Sequence, residues 1–265
     1  MAGRIKLLRS RAGALPAIIG GAVLLRLIGG VGFANYDTLY ALSWGGQLAR
    51  GQAPAYEIPV APTPHPLVEA LGVLLEPFGP RAAAGVTVWL GLLALSACAW
   101  VVYALGSEWF GRPAGALAGL LILTRVPVLS YGVRAYVDVP YLLLVLSAAL
   151  VETRRPRAGA PVLALLALAG LLRPEAWVFS GLYWLYLLHG SRTAARRSGP
   201  PAGERAQLGK TTAAARGELV KLAVLALSAP LVWLLSDLAV TGDPLWSLTN
   251  TRHTAHALEI GRAHV

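Results

Sequence analysis

Twenty-three residues separate Arg11 from Asn35, and Arg26 is the only charged one among them. A run this long and this apolar constrains the chain more than any other feature. It matches the roughly 20 residues that a helix needs to cross a bilayer core. Inside lipid every backbone N–H and C=O must be satisfied within the protein, so such a run must be helical. Similar runs recur, and the sequence predicts spans at about 12–33, 83–106, 114–133, 138–153, 157–173, 174–190 and 219–240. The expected fold is all-α: a polytopic transmembrane helical bundle of about seven spans, with a long first loop carrying interfacial helices. Composition points the same way. Of the 265 residues 56% are hydrophobic and only 14% charged, which is few charges for a soluble domain of this size.

Spans five and six could instead be one helix over 157–190. That would put Arg173 and Glu175 at mid-bilayer, at about 2.5–3.5 kcal/mol each on the insertion scale. The distribution of Lys and Arg decides between the two readings. With seven spans and a cytoplasmic N-terminus, fifteen basic residues fall in inner segments and six in outer ones. The net charge of +10 therefore records orientation, and no nucleic-acid partner is expected. The basic N-terminus followed by the first span reads as a retained anchor. Cys98 is the only cysteine, which excludes an intrachain disulfide. The membrane-embedded region is taken as 1–258. The last seven residues, "EIGRAHV" (Glu259 to Val265), read as a translated sequencing adapter and are left out of the functional reading.

On this topology the unusual polar residues collect on the outer face. Asp37 stands in "NYDTLY", directly after the first span. Residues 37–49 and 67–78 form amphipathic stretches too short to span, expected to lie flat in the interface. Between them Pro62, Pro64 and Pro66 hold His65 in a rigid, extended turn. Asp138 opens span four ahead of Pro140, a position that suits an N-cap as well as a catalytic acid, and Arg134 is placed one helical turn before it. Arg173 and Glu175 flank Pro174. Arg125 lies about one third of the way into span three, where snorkelling and phosphate contact both fit. Arg26 is expected to meet an inner partner such as Asp237 or to be solvated by bending. His253 and His256 have the spacing of two metal ligands on a helix, without an evident third.

Several stretches occur in an order that resembles one family of membrane enzymes. An acidic residue follows the first span. Then come "LARGQAPAY", "PHPL", "YALGSEWFGRPAGALAGLL" (103–121), "RAYVDVPYLLLVL" (134–146), "LALAGLLRPEAWVFSGLYWLY" (166–186) and "LAVTGDPLWSLTNT" (238–251). The pattern resembles GT-C glycosyltransferases of actinobacterial type, similar to dolichyl-phosphate-mannose mannosyltransferases, over nearly all of 10–258. The resemblance implies transfer of a sugar from a polyprenyl-phosphate donor to a lipid, glycan or protein acceptor at the outer face of a bacterial plasma membrane. It implies catalytic roles for Asp37, as base, and Asp138, and substrate contacts for His65, Arg134, Arg173, Glu175 and Arg125. Relatives often carry two acidic residues where this chain has only "NYDT", a departure that bears on binding of a divalent cation more than on base catalysis. Two other classes fit the composition. A transporter or flippase would place its site at mid-bilayer on broken helices. A non-catalytic scaffold would tolerate loss of Asp37, Asp138 and Arg173 together.

Overall fold

The computed structural model describes residues 2–58, 60–197 and 205–257, with side chains described for 13–193, Pro59 excepted, and for 217–251. The segment Glu259 to Val265 lies outside the described residues. The chain is all-helical, with no strand among the described residues. In order the helices are α1 (Ala2–Gly29), α2 (Tyr36–Ala49), α3 (Pro66–Leu75), α4 (Pro80–Phe110), α5 (Arg112–Thr124), α6 (Val126–Val133), α7 (Asp138–Arg154), α8 (Ala160–Gly170), α9 (Glu175–Arg197), α10 (Arg205–Thr241) and α11 (Trp246–Ala257).

Two helices are long and apolar enough to cross a membrane, α4 and the Gly217–Thr241 part of α10. A third joins them if α5 and α6 are counted as one broken span. The expected helix over 114–133 is therefore not continuous: α5 and α6 meet at 62°. Pro127, the second residue of α6, has no N–H to donate back into α5. The chain breaks just before it, at Arg125, which is extended (φ −77°, ψ 115°). The stretch expected as span five is realised as α8, 11 residues long. At 1.5 Å per residue that is about 16 Å, half a bilayer core.

α4 and α5 form a tight hairpin. Gly111 between them takes φ +89°, a left-handed value that glycine holds without strain. Around α4 the core is close-packed: Leu92, Leu95 and Cys98 pack with Ala22 and Leu25 of α1 and Val139 of α7. A second core joins α2 and α3 to α7 through Ala41, Leu42, Val68, Val137 and Leu172. On the far side Leu163 of α8, Leu187 of α9 and Leu222 and Ala226 of α10 make a third.

The loop over 34–82 holds the two short helices expected there, α2 and α3, packed directly on each other. Their crossing is close enough that a Cβ on Gly45 would sit 2.1 Å from the Glu69 carbonyl oxygen. The loop is fastened to two distant turns. Asn35 N–H donates to the Arg134 carbonyl (2.9 Å) and Leu67 N–H to the Leu171 carbonyl (3.2 Å). Thr38 Oγ1 donates to the Ala135 carbonyl (2.8 Å). The start of α2 thus meets the α6–α7 turn, and the start of α3 meets the α8–α9 turn.

Candidate functional site

Asp37 owes its position to the first turn of α2. Asn35 is the N-cap, and its side chain accepts from Thr38 N–H (3.0 Å). That cap and the Thr38 bond to the α6–α7 turn fix the helix start, and Asp37 stands between them, half-buried. Burial holds its carboxyl above the usual carboxylate range. His65, when it carries a proton on both nitrogens, opposes this most strongly; Asp138 adds to it and Arg173 opposes it. Four residues from three separate segments therefore lie within one another's electrostatic reach.

Arg173 organises the group. Its guanidinium is ion-paired to Asp138. It also forks onto Glu175, with Nη2 donating to Oε1 (2.9 Å) and Nε to Oε2 (3.4 Å). Its Cζ lies 5.8 Å from the centre of the Tyr141 ring. Asp138 is the first residue of α7, and Val137 occupies the N-cap position. The expected N-cap role for Asp138 is thus not what its side chain does; it pairs with Arg173.

His65 precedes Pro66, the first residue of α3, in extended conformation (φ −127°, ψ 90°). It is 8% exposed. Its Nδ1 lies 2.8 Å from the Leu172 carbonyl oxygen. A carbonyl only accepts, so Nδ1 carries the proton and the neutral ring keeps its lone pair on Nε2. Burial pulls the imidazole below its usual value, and the Asp37 charge works against that.

The remaining expected residues lie elsewhere or act differently. Arg134 is not one helical turn before Asp138. It sits in the non-helical turn between α6 and α7, where Ala135 has φ +49°. There its guanidinium packs 5.2 Å from the Phe33 ring centre and 5.3 Å from that of Tyr136. Its buried Nε has no hydrogen-bond partner among the described residues. Arg125 is exposed at the α5–α6 break and not part way along a continuous span. Arg26 does not meet Asp237. It donates to the Gly30 carbonyl, while Asp237 accepts from Ser247 N–H (2.8 Å) and Ser247 Oγ (2.7 Å). Asp237 thereby caps the start of α11. The side chains of His253 and His256 lie outside the described residues. Among the described residues no three His, Cys, Asp or Glu side chains gather as a metal ion would require.

No protein-family model, curated protein or solved structure matches the chain. The chemistry must therefore be read from the residues themselves. A raised carboxyl, a neutral imidazole and a guanidinium stand at the junction of three chain segments. Such a group can take a proton from a hydroxyl and offer positive charge to an anion.

Sequence reasoning missed a second polar group beside this one. Tyr56 Oη donates to Glu69 Oε2 (2.7 Å), and the two are 2% and 4% exposed. Tyr56 stacks edge-on against Trp44 at 4.8 Å. The signal was present: Glu69 shares a helical stripe with Gly72 and lies beside Val68, on the face of α3 that the structure buries. A carboxylate on the apolar side of an amphipathic helix is out of place unless something holds it.

Proposed function

We propose that this chain is a polytopic membrane glycosyltransferase of GT-C type. It moves a hexose or pentose from a polyprenyl-phosphate donor to a lipid, glycan or protein acceptor. In this reading about seven segments enter the membrane, the N-terminus is cytoplasmic, and the Asp37 cluster faces the outer side of a bacterial plasma membrane. The broken pair α5–α6 and the short α8 are membrane-embedded without each being a straight span.

The observation that carries the reading is the convergence of Asp37, His65, Asp138 and Arg173 from segments far apart in sequence, beside helices that are apolar along their length. The proposed step is a displacement at the anomeric carbon. The acceptor hydroxyl loses its proton to Asp37 as its oxygen bonds to that carbon. The bond from the anomeric carbon to the phosphate oxygen breaks, and its electron pair leaves with the polyprenyl phosphate. Arg173 offers positive charge to that phosphate in competition with Asp138 and Glu175.

Transfer of radiolabelled sugar from a polyprenyl-phosphate donor by reconstituted protein tests this. Asp37→Asn is expected to lower the rate at least about 100-fold, the scale of a lost general base. Undiminished transfer in that variant overturns the base assignment, and no transfer by the wild type with any such donor overturns the reading. A transporter or flippase would need a polar site within the bilayer. Asp237, a buried carboxyl inside a candidate span, is instead taken up in capping α11.

A further inference from the structure

Glu69 is 4% exposed, receives one side-chain hydrogen bond, from Tyr56 (2.7 Å), and has no ion pair among the described residues. Its Oε1 is buried with no hydrogen-bond partner among them. An ionised carboxylate in such a place lacks a counter-charge; the Tyr56 hydroxyl and the His65 backbone N–H favour it but do not outweigh burial. The carboxyl that acts on it from the neighbouring helix, Asp237 of α10, repels it further.

The other charges on the elements packed against α3 are directed elsewhere. Arg50, at the end of α2, is ion-paired to Glu76. Asp37 acts on His65. Arg81 of α4 makes no ion pair among the described residues, and Glu108 at its far end pairs with Arg154 (3.1 Å). On α10, Lys221 and Glu218 pair with each other (3.8 Å). Tyr56 is itself held protonated by burial and by Glu69.

We propose that Glu69 and Tyr56 form a proton-binding site: Glu69 holds its proton below neutral pH and releases it as the pH rises through neutrality, leaving a second buried carboxylate within electrostatic reach of Asp237 near the α3–α10 contact. Burial pushes the Glu69 carboxyl up to about 7, in keeping with that geometry. Proton release sets charge against charge where the loop over 50–65, α3 and α10 meet. It loosens the loop that carries Tyr56 and His65.

Infrared difference spectroscopy of the full chain in lipid nanodiscs, as a function of pH, reads the protonated carboxyl directly. The wild type is expected to show a carboxylic-acid C=O band that disappears around neutral pH and is absent from Glu69→Gln. Tyr56→Phe removes a hydrogen bond that favours the ionised form and should raise the midpoint. Asp237→Asn removes a repelling charge and should lower it. Each shift is expected to be about tenfold in proton affinity, one pH unit. If Glu69→Gln does not fold, the opposite signs of the other two variants still decide. A band lost around neutral pH with undiminished amplitude in Glu69→Gln, or an Asp237→Asn midpoint that stays put or rises, overturns the proposal. Hydrogen exchange supplies the structural readout: above neutral pH the 50–65 segment should exchange several-fold faster in wild type than in Glu69→Gln, and equal rates there overturn the loosening. No sugar donor is involved, so failure here leaves the transferase reading standing, and the reverse also holds.

Discussion

Arg173 holds two carboxylates with one guanidinium, and that limits what it can offer a phosphate. Arg173→Lys keeps the charge but loses the fork onto Glu175. The group is about one third exposed, so the stability loss should be no more than about 1 kcal/mol in thermal unfolding. Transfer should suffer far more than folding if phosphate binds there. Asp37 and Glu69 carry opposite pH consequences. Asp37 must be ionised to act as a base, so transfer is expected to rise with pH through a midpoint above the ordinary carboxylate range, because burial raises it; a pH–rate profile checks this. Glu69 affects stability. Its carboxyl moves from 4.5 to about 7 on folding, so the folded state binds the proton more tightly than the unfolded one. Its contribution is greatest below pH about 4.5, falls as pH rises to about 7, and is level above. Denaturation midpoints measured across that window should lose this slope in Glu69→Gln.

At the scale of elements, the close crossing of α2 and α3 is the most sensitive joint. Gly45→Ala would drive a Cβ into the Glu69 carbonyl oxygen, at 2.1 Å, with backbone on both sides and little room to yield. A loss of about 1–3 kcal/mol is expected, typical of overpacking, together with altered Glu69 titration. Gly85→Ala in α4 is the control: nothing lies within 4 Å of its added Cβ. There the substitution should stabilise by about 0.5–1 kcal/mol, because a helical glycine gives up more backbone freedom than alanine. The α5–α6 bend has its own test. Pro127→Ala restores a donor at the break, and spin labels at 117 and 131 should then move apart as the two helices straighten. An unchanged distance would assign the 62° bend to packing against α4 and not to the proline.

For the whole molecule, the helical class and the positions of α2 and α3 were legible because apolar runs and proline-flanked amphipathic stretches are local signals. Span continuity was less so. Mean hydropathy along 114–133 hides the break at Arg125, and the 11 residues of α8 look like part of a longer run until the turns around them form. The grouping of Asp37, His65, Asp138 and Arg173 could be suspected from their shared side of the topology. The partner choices could not. Arg134 on two aromatic rings, Asp237 on Ser247 and Tyr56 on Glu69 are long-range contacts that no periodicity encodes. Asp237 is one of two options the sequence leaves open for Arg26, because both are charges in apolar runs, whereas the nearer solution is the bare start of α11. The fastening of the first loop has a consequence for how the chain comes to be made. Residues 34–67 leave the ribosome well before the residues they bind: their bonds reach to residues 134, 135, 171 and 172, and Thr63 meets Thr251 at 2.6 Å. The nascent segment must therefore wait, with its polar groups still hydrated, until the last described helix has emerged to close over it.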